Sequence, residues 1–266
     1  MKLAEKKLFL LDMDGTIYLD EELFDGVPEF LTWIRAQGGR YLYLTNNSSR
    51  GLEGYLAKMA RLGIPAAEAD FLTSADATIR LLEREYPGRK VYVMGTASLC
   101  AQLTGAGIRI TQTPDEDTDI LLAGFDRELT FRKLEDACVL LNRGVTFLAT
   151  NPDWVCPTSF GFVPDCGSMC EMLWHATGRK PRVIGKPEPD MVYLALEKSG
   201  FKAEEAVLIG DRLYTDIACG AGAGIDTVFV LSGEGKLSDM EEMGIRPTWI
   251  RDDIRSILRE IKGETP

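Results

Sequence analysis

Apolar and polar positions along this chain fall into two patterns that take turns. Short, fully apolar runs alternate with longer stretches in which apolar residues recur at helical spacing. Residues 7–12 form a compact apolar run that ends in acid, the pattern of a buried parallel strand. Residues 27–37 carry Val27, Phe30, Leu31 and Ile34 at helical spacing, and Gly38-Gly39 stops them. Residues 41–45 predict a second strand and 46–49 a polar turn. Ser49 can cap a helix that runs to about Leu62, before Gly63. This βαβα opening favours a parallel sheet with helical crossovers.

The middle of the chain repeats the pattern. Strands are predicted at 90–94, 108–110, 120–124 and 146–149, and helices at 97–103, 130–141 and 168–176, with an acidic loop at 113–118. Residues 151–167 read as an irregular stretch rich in Pro and Gly, long enough to suggest a functional loop. The last third returns to alternation, with strands at 183–184, 206–210 and 227–231 and helices at 190–199 and 214–221, before a polar strand–helix finish. No internal repeat with a period of 20 to 50 residues is evident.

Composition narrows the class. The 266 residues, 45% hydrophobic and 27% charged, suit one large α/β domain or two smaller ones and exclude a disordered chain. The 30 Lys and Arg against 41 Asp and Glu leave a net charge of −11, which argues against nucleic acid and against anionic membrane surfaces. Taken alone, it would also disfavour a phosphorylated substrate. No apolar run approaches the roughly 20 residues of a membrane span, and the start carries no secretory signal pattern, so a soluble, cytoplasmic protein is expected. The six cysteines include no C-x-x-C pair. Cys156, Cys166 and Cys170 with the only histidine, His175, match no zinc spacing and read as ordinary reduced thiols.

Four motifs carry candidate chemistry, each where a strand ends and a loop begins, the edge of a parallel sheet where ligands bind. Asp12-Met13-Asp14-Gly15-Thr16 sets two carboxylates just past a buried strand, costly unless they ligate a cation or react, although Asp and Gly are also ordinary turn residues. Thr45-Asn46-Asn47-Ser48-Ser49 offers hydroxyl, amide and N–H donors for an oxyanion, and equally a helix cap. Gly185-Lys186-Pro187-Glu188-Pro189 braces a Lys at a strand end, as a fixed positive charge or as plain surface polarity. Gly210-Asp211-Arg212-Leu213-Tyr214-Thr215-Asp216 brings a third and fourth acid to the same edge. Hard oxygen ligands of this kind suit Mg²⁺. The glycines of 220–224 fail the dinucleotide-binding spacing and follow a helix rather than opening one, so close packing and a helix stop explain them better.

In this order the motifs resemble the haloacid dehalogenase-like (HAD) superfamily. With Thr150-Asn151-Pro152-Asp153 they resemble its NagD-like (class IIA) phosphatases, over a match from Asp12 to about Leu231. The resemblance implies a Rossmann-like parallel-sheet α/β core from 1–80 and 181–266, interrupted by an inserted α/β cap of the C2 type at 81–180. It implies an Mg²⁺-dependent phosphatase of small phosphomonoesters: nucleotides, sugar phosphates, phosphoglycolate, pyridoxal phosphate or p-nitrophenyl phosphate. Phosphotransferases and mutases of the superfamily share its covalent step, and a non-catalytic phosphate-binding module is the alternative outside enzymes.

By the same resemblance, Asp12 is the nucleophile and Asp14 the general acid and base. Gly15, Thr45, Asn46 and Lys186 hold the phosphoryl group. Asp12, Asp14 (through its carbonyl) and Asp211 bind Mg²⁺, with Asp216 behind them orienting a metal-bound water or Lys186. Asn151 and Asp153 are the cap candidates for the leaving group, or simply a turn after a strand. The implied partner is a small phosphorylated metabolite, with a homodimer through the cap. The net charge of −11 then no longer opposes a phosphate, because Mg²⁺, Lys186 and oriented N–H groups would set the local field.

Overall fold

The apolar run after Lys7 forms strand β1 (Leu8–Leu11), with all four side chains buried. A small hairpin follows, made of β2 (Tyr18–Leu19) and β3 (Glu22–Leu23). Helix α1 (Val27–Ala36) buries Val27, Phe30, Leu31 and Ile34, the stripe its sequence spacing predicts. Phe9 meets Phe30 edge to face, with ring centroids 5.5 Å apart. The chain continues through β4 (Arg40–Thr45), α2 (Leu52–Arg61), β5 (Phe71–Thr73) and α3 (Ser74–Glu85). Next come β6 (Val91–Met94), α4 (Ala97–Gly105), β7 (Ile110–Thr111), β8 (Ile120–Ala123), α5 (Phe131–Arg143) and β9 (Thr146–Ala149). A hairpin of β10 (Val155–Thr158) and β11 (Gly161–Pro164) leads to α6 (Cys166–Thr177) and β12 (Arg182–Val183). The last part holds α7 (Asp190–Ser199), β13 (Ala206–Gly210), α8 (Ala218–Gly222), β14 (Asp226–Val230), α9 (Asp239–Met243), β15 (Trp249–Arg251) and α10 (Ile254–Lys262). The structure, a computed structural model, describes residues 2–158 and 160–264.

The chain divides into two compact units. The first takes the chain up to Thr45, residues 56–72, and everything from Lys186 on. Its six-stranded sheet has the order β15-β14-β13-β1-β4-β5, with β1 parallel to both β13 and β4. The second unit comprises Asn46–Tyr55 and Thr73–Gly185. Its five-stranded sheet has the order β12-β9-β8-β6-β7, and every recorded pairing is parallel. Tyr92, Leu121, Leu140, Phe147, Met169 and Leu173 build the core of this second unit.

Three local features differ from the sequence reading. The pattern predicts no element between Leu62 and Lys90, yet α3 lies there. It is started by Thr73, whose N–H and hydroxyl both donate to Asp76 at 2.8 Å. Its inner face is largely small (Ala75, Ala77 and Thr78 beside Leu81 and Leu82), which mutes the apolar signal. The stretch 151–167 is not irregular throughout, because β10 and β11 pair antiparallel within it. Pro157 and Pro164 read as breakers in sequence, but a two-stranded ribbon has free edges that need no donor there. Finally, the helix expected at 214–221 is split: Leu213–Ile217 form a wider, π-helical turn, and only Ala218–Gly222 are α-helical. In α8 a Cβ on Gly220 would strike the Thr227 side chain, so close packing accounts for that glycine.

Candidate active site

Parallel pairing of β1 with β13 and β4 brings three strand ends of the first unit together. Asp12 follows β1, Asp211 follows β13, and Thr45 ends β4. Lys186 is 2% exposed and reaches into this edge. Its ammonium donates to Asp12 Oδ1 at 2.5 Å, to Asp216 Oδ1 at 2.6 Å and to the Leu44 carbonyl at 3.2 Å. Burial alone would push the Lys186 pKa down. The attraction of Asp12 and Asp216 outweighs it, and the group is held above its usual value.

Asp211 and Asp216 are both buried, and their carboxyl pKa values are raised. Desolvation is the larger cause in each, and repulsion from Asp12 adds to it. The carboxylate oxygens of Asp12, Asp211 and Asp216 lie within 4.8 Å of one another, the one such acidic group among the described residues. One oxygen of Asp211 accepts from the Glu234 N–H at 2.7 Å; the other, Oδ1, is buried with no hydrogen-bond partner. Three carboxylates, one of them with an orphaned buried oxygen, fit a hard divalent cation bound through oxygen. The structure therefore brings Asp216 into the acidic cluster itself, bonded to the same ammonium as Asp12.

The loop after β1 depends on Gly15. Its φ is +89°, and a Cβ there would stand 2.5 Å from Asp211 Oδ2, so only glycine fits. Its N–H donates to the Tyr18 carbonyl at 2.8 Å and closes the turn. Asp14, a third exposed, has Lys58 Nζ 3.6 Å from Oδ1 and the Tyr18 hydroxyl 3.5 Å from Oδ2. Neither Lys58 nor Tyr18 stands out in sequence motifs. The available signal was a lysine at position 58 on the same helical stripe as Tyr55 and Met59, both of which are buried.

The remaining candidates lie in the second unit. Asn46, Asn151 and Asp153 are buried, Asn151 and Asp153 to 1% and 2% exposure. Asn46 Nδ2 and Asn151 Nδ2 both donate to Asp153 Oδ2 at 2.8 Å, and Asn151 also reaches Asp165 at 2.9 Å. Ser48 and Thr150 hydroxyls join at 3.0 Å. These buried side chains hydrogen-bond to one another within the second unit. All six cysteines are free, with the Cys166 and Cys170 sulfurs 4.0 Å apart.

The chain's relatives agree with this architecture. A haloacid dehalogenase-like hydrolase family model matches residues 9–109, and a HAD-hydrolase-like model matches residues 183–257. The chain is 34% identical over 260 residues to an acid sugar phosphatase of Staphylococcus aureus, covering 98% of this chain and all of that one. Its structure is similar to that of 4-nitrophenylphosphatase from Thermotoga maritima, with a TM-score of 0.91, 35% identity, and 97% and 98% of the two chains covered. It is also similar to glycerol phosphate phosphatase from Mycobacterium tuberculosis, solved with magnesium, with a TM-score of 0.88, 33% identity, and 95% and 77% covered. That protein was solved with calcium as well. The chain belongs to the haloacid dehalogenase-like hydrolases, among their NagD-like phosphatases. Its activity class is phosphoric monoester hydrolysis.

Proposed function

We propose that this chain hydrolyses small phosphomonoesters of the sugar-phosphate or p-nitrophenyl-phosphate type, with Mg²⁺ as cofactor and a covalent phosphate on Asp12. The observation that carries the reading is the buried Lys186 ammonium joining Asp12 to Asp216 beside the unpartnered oxygen of Asp211. In the first step Asp12 forms a bond to phosphorus as the ester P–O bond breaks, and the leaving oxygen takes a proton from the Asp14 carboxyl. In the second step the Asp14 carboxylate takes a proton from water, whose oxygen bonds to phosphorus as the Asp12–phosphorus bond breaks. Lys186 would neutralise charge on the phosphoryl oxygens, and Thr45 with the N–H groups near Asn46 would hold them. Bound Mg²⁺, held by Asp12, Asp211 and the Asp14 carbonyl, would supply positive charge to the transferring group. Asp216 keeps Lys186 in place.

Two further readings belong to the same proposal. Trp154, Phe160 and Phe162 are exposed on and beside the β10–β11 hairpin, which supports self-association through the second unit. Sedimentation at micromolar concentration would report a monomer if that is wrong. A reducing, cytoplasmic setting is supported by six free thiols. No helix among the described residues is long and apolar enough to cross a membrane.

The test of the activity is direct. Asp12→Asn should lower turnover of p-nitrophenyl phosphate roughly 10³-fold or more, as loss of a nucleophile does elsewhere. Near-normal turnover by that variant would sink the assignment. A panel of sugar, glycerol and nucleoside phosphates, compared by kcat/KM, then ranks the substrates.

A further inference from the structure

We propose that Lys58 and Tyr18 are positioning residues that hold the Asp14 carboxyl group for proton transfer to the leaving oxygen. The inference rests on the reading of Asp14 as the general acid and base. Lys58 stands on α2, and its side chain is only 6% exposed, so its charge must meet a partner inside. Its ammonium lies 3.6 Å from Asp14 Oδ1 and 3.6 Å from the centre of the Tyr18 ring. The Tyr18 hydroxyl lies 3.5 Å from the other oxygen, Asp14 Oδ2. Tyr18 is itself fully buried, and its carbonyl accepts the Gly15 N–H, which ties the β2–β3 hairpin to the loop bearing Asp14.

The two oxygens of one carboxyl group therefore face two groups from different elements, a helix and a hairpin. A surface lysine would hold a carboxylate loosely, because its long stem keeps its rotamers and water screens the pair. Lys58 differs on both counts. Its stem is packed and its head rests on an aromatic face, so packing sets the position of the charge. Asp14 is a third exposed, and an untethered carboxyl there would share its time among rotamers, only some of which aim at the substrate.

Two esters separate this role from a structural one. In kcat/KM, which reports steps up to departure of the leaving group, nitrophenolate needs little help from an acid, whereas the alkoxide of glycerol phosphate does. Asp14→Asn should lower kcat/KM for glycerol phosphate far more than for p-nitrophenyl phosphate. Lys58→Met should show the same asymmetry, roughly 10- to 100-fold on glycerol phosphate and under about threefold on p-nitrophenyl phosphate. Lys58→Arg should recover most of the loss, and Tyr18→Phe should give a smaller loss of the same kind. If Lys58→Met does not fold, Lys58→Arg and Tyr18→Phe carry the comparison on the same two esters. Equal losses on both esters for the Lys58 and Tyr18 variants, with Asp14→Asn still asymmetric, would overturn this inference alone. A symmetric Asp14→Asn would overturn the acid–base reading with it.

Discussion

Lys186 donates to Asp216 Oδ1 across 2.6 Å, with both side chains almost wholly buried. Neither charge could sit there alone, because desolvation of an unpaired ion is too costly. The same ammonium reaches Asp12, so one cation links a carboxylate behind the site to the one proposed to react.

Lys186→Met should therefore affect stability as well as rate. It leaves Asp12 and Asp216 without their shared cation, and breaking a buried pair on one side costs about 3–5 kcal/mol. Urea denaturation of the two proteins would show this as a lower midpoint at similar slope. An unchanged midpoint would mean that the carboxylates have another partner.

Metal should stabilise the fold through Asp211. An ion that binds only the native state at 100 times its dissociation constant adds about 2.7 kcal/mol. Raising Mg²⁺ should raise the melting temperature of the wild type, EDTA should reverse it, and Asp211→Asn should blunt the response. A melting temperature indifferent to Mg²⁺ in the wild type would contradict a cation at this cluster.

Gly210 ends β13 directly before Asp211, and a Cβ there would overlap Cβ and Cγ of Asp216. Neither atom is the free end of a flexible chain, so Gly210→Ala must shift Asp216 and with it Lys186. Overpacking of this kind costs roughly 1–3 kcal/mol. Activity should fall further than stability, which parallel melting and p-nitrophenyl phosphate assays would reveal.

Glu85 gives a pH test away from the proposed metal site. Arg182 grips both its oxygens, at 2.5 and 3.3 Å, and Arg84 donates at 2.7 Å. The hydrogen bond from Arg182, then that from Arg84, lower its pKa from 4.5 to about 2. The unfolded carboxylate thus binds a proton more tightly than the folded one. Its stabilising effect is complete above pH 4.5 and declines as pH falls toward about 2. Because the pair is partly exposed, Glu85→Gln should cost only about 0.5–1 kcal/mol at pH 7. That difference from wild type should shrink in denaturation curves taken at pH 3 and be lost only below about pH 2.

The sequence by itself determined most strands of the two parallel sheets and the order of the motifs. A buried parallel strand is a local apolar run, and the acid after it marks the strand's end whatever the rest of the chain does. Asp12 and Asp211 were legible for that reason, each directly after a buried strand. Helix α3 was not, since the first two turns of its inner face are small (Ser74, Ala75, Ala77 and Thr78) and leave a weak apolar period before Leu81 and Leu82. Only the tertiary structure decided where side chains from distant segments point. It turned Asn151 and Asp153 into a buried network with Asn46, and aimed the Gly15 N–H at Tyr18. It also laid Lys58 over the Tyr18 ring beside Asp14, although the lysine lies 44 positions after the acid. Each of these depends on how a helix or hairpin rotates as it packs, and spacing along the chain does not encode that rotation by itself.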